Sequence, residues 1–201
     1  MGLYVEPALM QRFPEFYPFA MDGIAPVSPV LVVEKADDQM LEDLVREHMD
    51  TVCIVVRDCP QLQTLVPLAM LKELQWVGVW RCPNLSTLWQ TTATPLVRGI
   101  AFTGCKQVTD LSALAGARKL EHLLLENRTW DNVQLKSLLP LCALSELRTL
   151  DLGCRKVKDG NPLDYHRLFP NLKVLTITPG LRRGFVRREC KRDKPFGFSL
   201  F

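Results

Sequence analysis

The sequence has no run of about 18 consecutive apolar residues, which excludes a helix that spans a membrane. Its first residues, Met-Gly-Leu-Tyr-Val-Glu-Pro, hold neither a basic cluster nor an apolar core, so no secretory signal is expected. No Cys-x-x-Cys pair occurs among the seven cysteines, which removes the usual spacing of a zinc site. The odd cysteine count argues for reduced thiols and a cytoplasmic protein. No glycine loop of the phosphate-binding kind is present, and no cofactor or metal is expected. Histidine is scarce, with His48, His122 and His166 only.

What is present is a repeat. An apolar residue recurs at positions 1, 4 and 6 of a short segment, often with Cys at position 9. Thr51, Ile54, Val56 and Cys59 begin the clearest series. Leu74, Val77, Val79 and Cys82 follow 23 residues later, then Val97, Ile100, Phe102 and Cys105 after another 23. Leu120, Leu123 and Leu125 continue it, and Ser28, Leu31 and Val33 precede it at the same spacing. Leu147, Leu150, Leu152 and Leu172, Leu175, Ile177 extend it with longer intervals. A fixed period in the twenties is the signature of a solenoid, in which each coil buries its apolar face on its neighbours.

The pattern resembles that of leucine-rich-repeat proteins over residues 28–178, and Val108 to Leu114 resembles the bacterial short-repeat subclass. The resemblance implies an α/β fold: a right-handed solenoid with a parallel concave β-sheet and about seven repeats. It also implies a scaffold that binds another protein. One domain is expected over 1–201, with 1–27 as an N-terminal cap, 28–178 as repeats and 179–201 as a C-terminal cap or tail. Within it, a helix is expected from Asp37 to Met49, with Asp37 as N-cap. Further helices are expected over 132–139 and 162–169. Cys59, Cys82 and Cys105 are expected to form a buried, reduced ladder, each thiol serving a turn.

Alternation along each strand places positions 3, 5 and 7 on the concave face. In the first half these are apolar: Val30, Val32, Cys53, Val55, Trp76 and Trp80. Contiguous apolar surface marks a contact site. Trp76 and Trp80 flank Gly78, beside Gly99, Ala101 and Thr103, so a hollow is expected with Arg57 stacked on Trp80. Arg57, Trp76, Trp80, Thr103, His122, Glu126 and Asp151 are the expected partner-binding residues. The occupant is an unidentified protein, the chain's own termini, or a second copy. An immunity or antitoxin-like role is one version of the first. His122, Glu126 and Asp151 also have the chemistry for acid–base work, but Thr149 beside His122 is only a weak candidate nucleophile, and no enzyme activity is expected.

The charge is unevenly placed. Residues 181–201 hold seven basic residues against two acidic ones, so this tail carries +5 and the remainder −2 of the net +3. Arg182, Arg183, Arg187, Arg188, Lys191 and Arg192 could meet phosphates, with Phe196, Phe198 and Phe201 stacking on bases. Nucleic-acid binding is therefore the alternative function. The plainer expectation is a cap whose aromatic residues pack on the last repeat.

Overall fold

The computed structural model describes residues 30–126, 133–152, 155–157, 168–177 and 186–189. The first expected cap, residues 162–167 of the helix expected over 162–169, and most of the basic tail lie outside the described residues.

The earlier strands are short segments rich in β-branched and aromatic residues, which fit a pleated surface, while those at Leu123 and Leu150 are built mainly on leucine. In chain order the strands are β1 (Val30–Glu34), β2 (Cys53–Arg57), β3 (Trp76–Trp80), β4 (Gly99–Thr103), β5 (His122–Glu126), β7 (Thr149–Leu152) and β9 (Val174–Ile177). They pair in parallel in that order, with Leu31, Ile54, Val77, Ile100, Leu123, Leu150 and Leu175 directly adjacent across the sheet. An eighth strand, β10 (Val186–Glu189), pairs antiparallel with β9 and closes that edge. A second, two-stranded parallel sheet joins β6 (Val133–Leu135) to β8 (Arg155–Val157).

Helix α1 (Asp38–Glu47) starts where Asp37 Oδ1 accepts a bond from the Met40 N–H at 2.8 Å. Asp38 Oδ1 meanwhile accepts from the N–H groups of Gln63 and Thr64, tying α1 to the next coil. Later coils replace the helix by 3₁₀ turns at Val66–Met70, Thr91–Ala93, Ser112–Gly116 and Leu139–Ala143. Pro67 and Pro140 each sit second in their turn, where proline's fixed φ fits and its missing N–H is harmless. The helix expected over 132–139 is not formed. Its described part is strand β6 followed by the start of a 3₁₀ turn.

The core lies between the sheet and these turns. Positions 1, 4 and 6 are buried from β2 to β7, including Val79 and Phe102. The returning arm adds a second pattern, with an apolar residue every third position. Leu62, Leu65, Leu68, Leu71 and Leu74 are all buried, as are Val108, Leu111, Leu114, Ala117 and Leu120. This spacing matches the three residues per turn of a 3₁₀ helix, so one side of each arm faces inward throughout. In the coil between them Thr91 and Thr94 occupy the same row. Thr91 Oγ1 donates to the Ala113 carbonyl at 2.9 Å, and Thr94 Oγ1 accepts from Trp89 Nε1 at 2.8 Å. Their hydroxyls are thus paired inside the core, which offsets the cost of burying them.

Candidate functional site: the concave face and its rim

The two faces of the sheet hold separate apolar clusters. The core cluster contains positions 4 and 6. The concave cluster contains Cys53, Val55, Trp76, Ala101 and Leu124, with Val30 and Val32 packed against it. The face assignment made from alternation is correct, but these side chains are not open to solvent. Cys53, Val55 and Trp76 are 0% exposed, Ala101 2% and Leu124 7%. Burial alone pushes the Cys53 thiol far above the usual range.

Trp76 does not leave a hollow beside Gly99. Its ring reaches across that glycine and stacks on His122, with ring centroids 6.3 Å apart and planes inclined by 23°. The missing side chain of Gly99 provides the room. His122 is itself only 4% exposed, and Thr103 is buried. Asp151 is half-buried, next to Leu124 in register. Glu126 ends β5 opposite Thr103, and its side chain lies outside the described set.

Accessible chemistry lies instead at the rim where the strands end. Arg57 bonds Glu34 of the preceding coil. One residue further along, Arg81 makes a two-pronged pair with Asp58, at 2.7 Å through each nitrogen. The Arg81 guanidinium also stands 5.6 Å from the Trp80 ring centre, close enough for a cation–π contact. Arg81, a residue absent from the sequence-based site, is therefore a cation at the Trp80 ring. Arg57 is the neighbour of Trp80 across β2 and β3.

A backbone signal accompanies this rim. Lys35, Asp58, Arg81 and Gly104 occupy the same place in four successive coils, and all have left-handed φ values of 53–69°. The N–H groups of Asp58 and Arg81 donate to the carbonyls of Trp80 and Thr103 in the next coil, at 3.0 and 2.8 Å. Gly, Asp and Asn tolerate this conformation best. The row Asp58, Gly104, Asn127 in the sequence could have revealed it.

Behind the turn sits the cysteine ladder. Cys59, Cys82 and Cys105 are fully buried and unbridged. Each sulfur lies 3.1–3.6 Å from the carbonyl two residues before it. Cys59 Sγ also accepts from the Ala36 N–H at 3.3 Å. A hydrogen bond with the Cys105 thiol, then burial, push the Cys82 thiol up to about 12.

At the opposite end of the strands, sequence reasoning missed a buried ion cluster. Glu121 Oε1 accepts from Arg98 Nε and Nη2 at 2.8 and 2.5 Å, while Arg148 Nη1 lies 2.8 Å from Oε2. One carboxylate thus joins three successive coils. Of the tail residues, Arg187 and Arg188 lie on β10, paired in register with Thr176 and Leu175. Arg182, Arg183, Lys191 and Arg192 lie outside the described residues.

No protein-family model matches the chain, and no curated protein matches it in sequence. Solved structures do. A leucine-rich-repeat protein of Leptospira interrogans is similar over 89% of this chain and 47% of its own, at 15% identity and a TM-score of 0.53. An internalin of Listeria monocytogenes is similar over 66% of this chain and 49% of its own, at 15% identity and a TM-score of 0.40. This chain therefore spans about half the length of either protein. Parallel strands in unbroken register, one core filled from positions 1, 4 and 6, and the Leptospira likeness agree: the fold is the leucine-rich-repeat solenoid.

Proposed function

We propose that the chain is a protein-interaction module whose contact surface is the rim of the concave sheet, centred on Trp80 and flanked by Arg57 and Arg81. The observation that carries this reading is a half-buried tryptophan with Arg81 at its ring and Arg57 beside it in register, the two arginines being themselves fixed by Asp58 and Glu34. Trp and Arg dominate the energetics of protein interfaces. Side chains already held in place lose little freedom on binding, which favours affinity. Asp151 belongs to the polar continuation of the same concave face. Trp76, Thr103 and His122 support the surface from beneath rather than touch a partner. The unbridged thiols support a reducing compartment such as the cytoplasm. An immunity-type role, in which a compact solenoid occludes its target, is a special case of this reading.

The test uses the full chain and Trp80→Ala as parallel baits. The variant should fold with a loss of about 1 kcal/mol or less and should lose about 2 kcal/mol of affinity for the partner that the native chain retains. Equal retention of that partner by both folded proteins would remove the rim from consideration. Binding of RNA or DNA that weakens steeply with salt would transfer the function to the basic tail.

A further inference from the structure

We infer that the apolar half of the concave face is an intramolecular groove occupied by the chain's own residues 1–29. The inference starts from a mismatch between composition and exposure. Val55 has Gly78 as its neighbour on β3, and Trp76 has Gly99 as its neighbour on β4. A side chain beside a glycine on an open sheet face keeps solvent on at least one side, yet both are 0% exposed. Something lies over them. Among the described residues every element already has a place: seven strands in the sheet, β10 at its far edge, β6 and β8 paired with each other with Leu135 in the core cluster, and α1 and the 3₁₀ turns against that cluster.

Length and chemistry select the N-terminal segment. Residues 1–29 lead directly into β1, next to Cys53 and Val55. The patch crosses from β2 to β5, about 14 Å at the usual strand spacing. A segment of that length reaches about 95 Å when extended, so it covers the patch with ample slack. It carries Tyr4, Phe13, Phe16, Tyr17 and Phe19, which need an apolar surface. It also carries Pro7, Pro14, Pro18 and Pro26, which disfavour its addition as another strand. Contact through side chains laid across the strands satisfies both. The C-terminal candidate, Phe196 to Phe201, follows β10 at the other edge of the sheet, about 29 Å from β2. Residues 190–201 reach about 40 Å only when almost straight. The consequence is an autoinhibited groove: any protein that uses it must first displace the segment, and its apparent affinity is the intrinsic one multiplied by the fraction of time the groove is empty.

The experiment places the photo-crosslinker p-benzoylphenylalanine at Phe16 in the full chain and maps the products by mass spectrometry. Crosslinks to peptides holding Cys53, Trp76 or Ala101 are expected. Crosslinks found only elsewhere on the same chain, or only between two chains, overturn the inference. A second measurement follows thiol labelling in the full chain with Phe13, Phe16, Tyr17 and Phe19 all changed to alanine. Cys53 should label about tenfold faster or more, while Cys59, Cys82 and Cys105 stay protected by the unopened core. Unchanged protection of Cys53 overturns the inference, as does its release by Phe196→Ala, Phe198→Ala and Phe201→Ala instead. Should all four thiols label together, the chain has unfolded and the crosslink map decides.

Discussion

At the scale of single residues, the coils are held in step by backbone geometry that side-chain patterning does not advertise. Three of the four left-handed positions at the ends of the strands are not glycine: Lys35, Asp58 and Arg81. Each carries a conformational cost of about 1–2 kcal/mol that Gly104 avoids. A Cβ at position 104 would meet Arg81 at 3.5 Å, an ordinary contact, so backbone strain alone should decide that substitution. Gly104→Ala is expected to lower stability by about 1 kcal/mol in urea unfolding, with the fold retained. A neutral result would mean the turn relaxes to a different φ.

The thiols behind these turns give a pH signature. Cys82 is held neutral to about 12 in the folded chain, against 9.0 for the free group. The folded state therefore favours the protonated thiol. That contribution is complete below pH 9 and disappears as pH rises from 9 towards 12. The urea midpoint of the native chain should fall more steeply between pH 8 and pH 10.5 than that of Cys82→Ala. Parallel slopes would show that other groups, such as lysine and tyrosine, govern the alkaline loss.

At the scale of elements, packing between neighbouring 3₁₀ turns is the tightest constraint. A Cβ on Gly116 would sit 2.4 Å from Thr92 Cγ2 and 2.7 Å from the Thr92 backbone nitrogen. A side-chain methyl can turn aside, but the backbone cannot without moving the whole turn. Gly116→Ala is expected to cost about 1–3 kcal/mol, the range for overpacked cores. Thermal unfolding reads this directly, and a loss below about 0.5 kcal/mol would mean the two turns separate freely.

The elements also mark what the sequence could and could not disclose. Strand positions were legible because constant spacing repeats one decision in coil after coil, so Ile54, Val77 and Ile100 fixed each other. The start of α1 was legible because Asp37 combines a capping side chain with helical spacing behind it. The stretch over 132–139 was misread because a few apolar residues suit a helix, a strand and a 3₁₀ turn equally. The three-residue period from Leu62 to Leu74 would have pointed to 3₁₀ arms. Alternation correctly put Trp76 on the concave face, but a period of two says which side a residue takes and nothing about what covers that side. The Glu121 cluster escaped notice because its partners are 23 and 27 residues away and belong to no local motif.

At the scale of the whole molecule, stability is shared between adjacent coils, since each strand touches only the next. Among the described residues, the Glu121 cluster engages three coils together. The carboxylate is buried, but Arg98 and Arg148 are partly exposed and solvent screens them. Glu121→Ala should therefore cost about 2 kcal/mol, less than the loss of a fully enclosed pair. It should also broaden the urea transition as the coils on either side become less coupled. A loss under about 0.5 kcal/mol, with the transition unchanged, would reduce the cluster to ordinary surface pairs.

The reversed strand β10 has a consequence for growth. A stack of parallel strands is open-ended in principle, because its last edge offers the next strand the same hydrogen-bonding pattern that every earlier strand used. Copies of such a molecule could add end to end and continue one another's sheet. Turning the last described strand around gives its pairing with β9 an antiparallel pattern, unlike every other pair in this sheet. A further strand running with the stack would meet β10 in the antiparallel sense, with a different spacing of hydrogen bonds from the one the parallel strands share. Among the described residues, one change of chain direction thus marks that edge off from the rest of the stack, where a second copy could not extend the sheet in unbroken parallel register.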